Sequence, residues 1–210
     1  MSVSDKLTPA IGRRRSIRRY RPEPVSPAAI DRLLLAATRA PSAHNRQPWR
    51  FAAIDDSEMK EKLAMAMGER LRQDRAADGD DPQAIAADVE RSIARITGAP
   101  AVLVACLDIR DMDQYVDERR RQAEYLMAVQ STAMAVQNIL LAAEDEGLGA
   151  CVMCAPLFCP DTVAAALQLP PGWQAQMLVT VGHPSVAGKD RARLPLTDVV
   201  IWPARRQPAK

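Results

Sequence analysis

The sequence predicts an α+β domain in which a small sheet is wrapped by helices. Segments with helical periodicity alternate with a few short apolar runs typical of strands, and the helical segments are in the majority. The 210 residues suit a single compact domain. The composition, 48% hydrophobic and 26% charged, is that of an ordinary globular chain. A chain of this length does not need disulfides or metals to stabilise a core.

The first predicted helix begins at Ser26 and Pro27, an N-cap followed by a proline that suits the first helical position. Apolar side chains recur at helical spacing until Pro41, which ends the helix. The elements that follow are, in chain order, a strand at Trp49–Ile54, a helix from Ser57 to about Leu71, a polar loop at 74–81, a helix from Pro82 to about Thr97 and a strand at Ala101–Leu107.

Residues Gln114–Glu146 are predicted to form one long amphipathic helix that ends at Gly147. Its apolar positions cover more of the helix circumference than one small sheet needs, which favours contact with a second subunit. The later predicted elements are a strand at Ala150–Cys154, a helix at Asp161–Leu169, a strand at Met177–Val181 and a further strand at Thr197–Ile201. We expect a flexible N-terminus at 1–10, a single domain at 11–204 and a C-terminal tail at 205–210.

The composition excludes several classes of function. The two histidines, His44 and His183, cannot build a histidine-rich metal site, and the four cysteines lack the paired spacing of a zinc ribbon, so no metal is expected. The cysteines look like reduced thiols, which points to the cytoplasm. The most apolar stretch, Tyr125–Ala143, is interrupted by polar residues and predicts no membrane span. An aromatic content of 4% and a net charge of +2 argue against a nucleic-acid partner.

The strongest local signal is a run of six arginines within the nine residues Arg13–Arg21. Guanidinium groups match phosphate oxygens bidentately, and the hydroxyl of Ser16 adds a donor. The same run is also compatible with a solvated basic arm. Because a capped helix follows it directly, its placement favours a phosphate pocket within the fold.

Three further segments carry polar or glycine-rich patterns. The loop at 41–49 presents amide, imidazole and hydroxyl donors that suit a flat heterocycle, although a plain polar turn has the same composition. The segment at 147–156 carries glycines that allow the backbone to approach a ligand closely, but they precede a strand, so it is not the dinucleotide fingerprint. Cys151 and Cys154 are three apart in a strand and point to opposite faces, which disfavours a redox pair. Arg191 and Arg193 form a basic pair that could close the other side of a phosphate.

In this order and spacing, the segments resemble the FMN-dependent nitroreductase family from about Ile11 to Ile201. The most specific pieces are the arginine-serine segment at 14–18 and the Pro-Ser-x-x-Asn-x-Gln-Pro-Trp segment at 41–49. The later segments at 157–161 and 181–184 resemble the branch that holds the C-terminal reductase domain of the bifunctional enzymes of deazaflavin coenzyme synthesis. That domain would here stand alone, without the ligase half.

The resemblance implies a small, mostly antiparallel sheet and an intertwined homodimer with one FMN at each end of its interface. The residues that match the family's contacts to the FMN phosphate and ribityl chain are Arg14, Arg15, Ser16, Arg18, Arg191 and Arg193. The residues that match its contacts to the flavin ring are Ser42, His44, Asn45 and Gln47, which in this family come from the partner subunit, together with Met153, Cys154, Ala155 and Pro156. Arg95, or its neighbour Arg91 on the same helix face, matches the cation near flavin N1.

The resemblance also implies an enzyme without a catalytic side chain, because the chemistry resides on the FMN. The leading expectation is an NAD(P)H-dependent oxidoreductase that reduces a small electron-poor acceptor such as a nitroaromatic, a quinone or an activated alkene. A narrower alternative is reduction of a dehydro precursor of the deazaflavin coenzyme. Two alternatives from other classes are a flavin-sequestering protein without reductase activity and a small nucleic-acid-binding protein that uses the basic arm.

Overall fold

The structure is a computed structural model that describes residues 9–203. Residues 9–13 are helical and Ala10 is buried, whereas the rest of the predicted flexible N-terminus and the predicted tail at 205–210 lie outside the described residues. The elements that follow are α1 (Pro27–Thr38), β1 (Trp49–Ile54), α2 (Ser57–Ala77), α3 (Pro82–Thr97), β2 (Ala101–Leu107), α4 (Glu118–Asp145), β3 (Gly149–Met153), α5 (Pro160–Leu167), β4 (Gln174–Gly182) and a short α6 (Leu196–Val199), with single 3-10 turns at Ala43–Asn45 and Ala155–Phe158.

The four described strands form one antiparallel sheet in the order β1-β2-β4-β3. Every residue of β2 is buried, because helices cover both faces of the sheet. Leu103 lies in the core cluster on the side of α1 and α4, while Val102 and Val104 lie in the cluster formed with α2, α3 and α5. Alternate residues of a strand point to opposite faces, so one apolar strand supplies both layers. This architecture confirms the predicted α+β class.

Helix α4 runs from the N-cap Asp117 to a glycine stop. The amide of Gly147 donates to Glu144 O, the amide of Leu148 donates to Ala143 O at 2.8 Å, and Gly147 has a φ of 70°, the pattern of a Schellman cap. Among the described helices, α4 is the one long and apolar enough to cross a membrane by those two criteria. Its residue Ile139 is fully buried in the protein core, which is how a core helix packs.

Several predicted elements differ from the structure: β4 covers Gln174–Gly182 rather than Met177–Val181, and three other differences are larger. Helix α2 continues to Ala77, into the predicted polar loop at 74–81, because ion pairs such as Arg70–Asp74 at 2.7 Å stabilise its polar end. Helix α4 begins at Glu118 rather than Gln114, because Asp117 accepts from the amide of Arg120 and caps it there. The predicted strand at Thr197–Ile201 is instead the helical turn α6.

Candidate functional site

The arginine-rich segment lies along the edge of the sheet. Ser16 forms a parallel bridge with Ala150 of the edge strand β3, and the Ile17 amide donates to Ala150 O at 3.0 Å. Farther along, the Arg21 amide donates to His183 O at 2.8 Å. The middle of the segment is therefore tied to the edge strand, and its last residue to the backbone directly after β4. This rules out the interpretation of the described segment as a detached basic arm.

Two glycines allow the segment to lie this close to the sheet. A Cβ on Gly149 would stand 2.7 Å from Ile17 Cβ, and a Cβ on Gly188 would clash with Arg15 Cβ. Such a contact is closer than packed carbon atoms tolerate. The sequence predicted a close approach of this backbone to a ligand, but the group that lies against Gly149 is the buried side chain of Ile17.

The segment forms one wall of a cleft of about 560 Å³. Arg191 and Arg193 line the same cleft, so the structure brings together the two basic segments that are separated by more than 170 residues in the sequence. Arg15 pairs with Asp190 at 2.9 Å. Among residues 9–203, no carboxylate forms an ion pair with the other predicted phosphate ligands of this cleft, Arg14, Arg18, Arg191 and Arg193.

Arg18 also lines a second cleft of about 460 Å³, together with Arg91, Arg95 and residues 152–155. Arg91 forms an ion pair with Asp88, whereas Arg95 has no carboxylate partner among the described residues. Met153, Cys154 and Ala155 line this cleft, whereas Pro156, which was predicted to contact the flavin ring with them, is buried and not part of its lining.

Arginines that line the two clefts lie close to the thiol of Cys151. Burial raises the pKa of Cys151, and the positive charges of Arg18, Arg95 and Arg14 oppose part of that rise. A guanidinium exerts such an effect only at short range. These three arginines, from the N-terminal segment and from α3, therefore all lie near Cys151. Cys151 is buried and Cys154 is exposed, and both are free thiols.

The loop at 42–47 lines neither cleft in the described chain. His44, Asn45 and Gln47 have φ values of 50°, 54° and 49°, in the left-handed region that non-glycine residues rarely adopt. The Ala43 amide donates to Ser131 Oγ on α4, and the Gln47 amide donates to Ser42 Oγ at 3.0 Å. These contacts fix a strained, solvent-facing loop, an arrangement found at binding sites. Within the described chain, this loop is therefore separate from the arginine-lined clefts.

Sequence reasoning missed part of the cleft wall. Val186, Gly188 and Lys189 line the 560 Å³ cleft between β4 and the basic pair. They carry no periodic pattern. The one feature of the sequence that could have indicated them is the pair Gly188-Lys189, two residues before Arg191. Sequence reasoning also missed Tyr20, whose side chain is directed into the fold beneath the arginines.

The fold is an antiparallel sheet covered by helices, and two arginine-lined clefts lie beside the segment that pairs with its edge strand. The chain belongs to the nitroreductase family, whose model matches residues 11–183. The family and fold predicted from the sequence are therefore confirmed.

Named relatives agree with this assignment. The chain is 33% identical over 226 residues to an NADH dehydrogenase of Thermus thermophilus, covering 96% of this chain and 98% of the relative. It is 31% identical over 182 residues to a 5,6-dimethylbenzimidazole synthase of Rhodobacter capsulatus, covering 86% and 84%. A crystal structure of a Desulfovibrio desulfuricans nitroreductase in complex with FMN has a TM-score of 0.74 at 28% identity and covers 95% of this chain and 98% of its own.

Proposed function

We propose that this chain binds FMN across the two clefts and uses NAD(P)H to reduce a small, uncharged, electron-poor acceptor. As a member of the nitroreductase family it is an NAD(P)H-dependent flavin oxidoreductase. The observation that carries the proposal is the group of arginines around the two clefts that have no carboxylate partner among the described residues. A cluster of unpaired guanidinium groups is stabilised by a bound anion, and a phosphate monoester matches their geometry.

We propose that the 560 Å³ cleft holds the FMN phosphate. Arg14 and Arg18 line it from the sheet edge and Arg191 and Arg193 from the C-terminal segment, and Ser16, which lies between Arg14 and Arg18 in the sequence, lines it as well. Arg15 serves differently, because its guanidinium pairs with Asp190 and donates to the carbonyl of Gly12 at 2.5 Å. We infer that it connects the two basic segments and so keeps the cleft in shape.

We propose that the 460 Å³ cleft holds the flavin ring, which supplies the hydride-accepting and hydride-donating centre when bound. Arg95, with Met153, Cys154 and Ala155, would form its edge, and the buried Pro156 follows them directly in the chain. Between the two candidate cations on α3, Arg95 is favoured because Asp88 neutralises Arg91. An uncompensated guanidinium placed there stabilises negative charge that develops on a ligand.

We propose that a second copy of the chain completes the site through Ser42, His44, Asn45 and Gln47. The strained loop that carries them faces solvent in the described protomer. Large apolar side chains are exposed on α4, namely Leu126 and Met134, and along the C-terminal segment, where Leu194, Leu196 and Ile201 are at least 71% exposed. A protein rarely leaves that much apolar surface in water, so we infer that it is covered by the partner.

The arginines near the clefts favour a neutral acceptor over an anionic coenzyme precursor. Four residues could bind an acidic acceptor once the phosphate of FMN is satisfied: Arg46, Arg50, Arg91 and Arg95. The first three pair with Asp113, Asp111 and Asp88 respectively. Of these four, only Arg95 has no carboxylate partner among the described residues, and in our proposal Arg95 contacts the flavin ring. We therefore place nitroaromatics, quinones and activated alkenes first and the dehydro precursor of the deazaflavin coenzyme second.

The test begins with the visible spectrum of the purified protein, where we expect about one FMN per chain. Reduced protein is then mixed in turn with a nitroaromatic, a quinone and the dehydro precursor, and flavin reoxidation is followed by stopped flow. Faster reoxidation by the nitroaromatic or the quinone supports the proposal. Preference for the precursor reverses the ranking of acceptors, and reoxidation no faster than by dioxygen favours the flavin-sequestering alternative. A colourless protein that binds no FMN contradicts the proposal as a whole.

The proposed dimer has its own test in analytical ultracentrifugation. Leu126→Asp places a charge on the exposed apolar face of α4, and we expect it to dissociate the dimer and release FMN. Met65→Asp is a matched control on α2, because Met65 and Leu126 are similarly exposed, at 54% and 58%. A wild-type monomer with full flavin occupancy would contradict the shared site. We further propose that 11–204 is a single domain and that the protein acts in the cytoplasm.

A further inference from the structure

Tyr20 is the one tyrosine in residues 9–203 whose hydroxyl lies inside a hydrogen-bond network in the fold. Its Oη donates to Ile17 O at 2.6 Å and lies 2.7 Å from Thr180 Oγ1 and 3.0 Å from Thr180 O. Burial raises the pKa of Tyr20 above its usual range, so the phenol stays protonated and remains a donor at neutral pH. A phenylalanine would fill the same space, so packing alone does not explain the hydroxyl.

The acceptor of this hydroxyl lies in the middle of the arginine segment. The Ile17 amide already donates to Ala150 O on β3, so the Tyr20 hydroxyl fixes the remaining polar group of the same residue. Arg18 follows directly in the chain and lines both clefts. With both backbone groups of Ile17 held, the peptide that carries Arg18 has a defined orientation.

Thr180 anchors the other end of the network in the sheet. It is 2% exposed on the central strand β4, where its register partner on β3 is Cys151, and its Oγ1 lies 3.4 Å from Cys151 O. The ring of Tyr20 packs close to Gly182 of the same strand, since a Cβ on that glycine would lie 2.9 Å from Tyr20 Cδ1. The hydroxyl therefore connects the arginine segment to a buried residue on an interior strand of the sheet.

We propose that the Tyr20–Thr180 hydroxyl pair positions Arg18 and the preceding backbone for recognition of the ligand's phosphate. Tyr20 lines neither cleft, so it is a positioning residue that acts through the carbonyl of Ile17. The inference rests on the proposed phosphate site, and it adds a residue pair outside that site on which phosphate affinity depends. The pair places the guanidinium before the ligand arrives, which reduces the ordering cost of binding.

The experiment compares FMN with riboflavin, which lacks the phosphate, in flavin fluorescence titrations of the full chain. Tyr20→Phe and Thr180→Val each remove one hydroxyl of the pair. We expect each to raise the Kd for FMN about tenfold, the effect of removing one well-placed hydrogen bond to a phosphate-binding group, and to raise the Kd for riboflavin less than about twofold. Because the two hydroxyls act as one unit, the double variant should bind FMN about as tightly as either single variant.

Two variants serve as controls. Thr180→Ser keeps the hydroxyl and should bind FMN like the wild type. Tyr115→Phe removes a hydroxyl from a ring that stacks under Arg120, a residue that lines neither cleft, and should also bind FMN like the wild type. Thermal unfolding is measured on every variant, because a merely structural role would lower the Tm and leave the ratio of the two Kd values unchanged.

The outcomes separate this inference from the function on which it rests. A selective loss of FMN affinity in Tyr20→Phe and Thr180→Val supports the positioning role, provided that Thr180→Ser binds FMN like the wild type. If these two variants lose affinity for FMN and riboflavin equally, or show a lowered Tm with unchanged affinities, the positioning role is wrong. If the wild type binds FMN no more tightly than riboflavin, the proposed phosphate site is itself wrong and the inference fails with it.

Discussion

Replacing Arg14 and Arg18 by alanine removes two of the guanidinium groups that have no carboxylate partner among the described residues. Both line the 560 Å³ cleft, and both lie on the segment that is fixed to β3 by backbone hydrogen bonds. Because those bonds involve main-chain atoms, truncation of the two side chains leaves the segment in place. The double variant therefore tests phosphate recognition without dismantling the wall of the cleft.

The magnitude follows from the hydrogen bonds to phosphate that the double variant can no longer form. A hydrogen bond to a charged partner contributes roughly 1.5–3 kcal/mol, so the absence of two such bonds predicts a loss of about 3–6 kcal/mol in binding free energy. Each 1.4 kcal/mol corresponds to about a factor of ten in Kd, so the Kd for FMN should rise by at least about a hundredfold. Removal of the repulsion between neighbouring guanidinium groups should also leave the flavin-free protein no less stable than the wild type.

The assay is a fluorescence titration with FMN at two salt concentrations, since interactions between exposed charges are screened by salt. Arg39→Ala combined with Arg119→Ala is the matched control: it makes the same change in net charge at two exposed arginines that line neither cleft. We expect the control to bind FMN normally. Unchanged FMN affinity in Arg14→Ala/Arg18→Ala, or an equal loss in the control, would refute the assignment of the phosphate site.

Three further predictions concern cysteines, acid stability and packing. Cys151→Ala combined with Cys154→Ala should retain FMN and reductase activity, because the flavin carries the redox chemistry and the two free thiols, one buried and one exposed, form no redox pair. A variant that keeps FMN but reduces no acceptor would contradict this. Hydrogen bonds from Arg110 lower the pKa of Asp108. Asp108→Asn should therefore lower the free energy of unfolding by about 1–3 kcal/mol at pH 7, and this difference from the wild type should shrink below about pH 4. Equal urea midpoints of the two proteins at pH 7 would argue against this prediction. Gly149→Ala should lower the free energy of unfolding by about 1–3 kcal/mol and weaken FMN binding, and a variant with wild-type Tm would show that the contact yields without cost.

The secondary structure near the core was predictable because it depends on local patterns. The strands Trp49–Ile54 and Ala101–Leu107 have the predicted bounds, since short apolar runs between turns leave little choice of conformation. The end of α2 was not predictable in this way. Its last turns are polar, and ion pairs such as Arg75–Asp80 at 2.6 Å, which depend on the folded geometry, extend the helix beyond its apolar pattern.

The sequence by itself determined the fold class, the family and the identity of the basic segments, because these depend on residue types in a fixed order. It left Arg91 and Arg95 equivalent, since residues four apart on one helix share a face. The structure distinguished them through a local ion pair between Arg91 and Asp88, which lies three residues earlier on the same helix. It also brought Arg14 and Arg191 to one cleft and buried the Tyr20 hydroxyl against Thr180. Contacts between residues so distant in the chain arise from the packing of the sheet, and no local pattern encodes them.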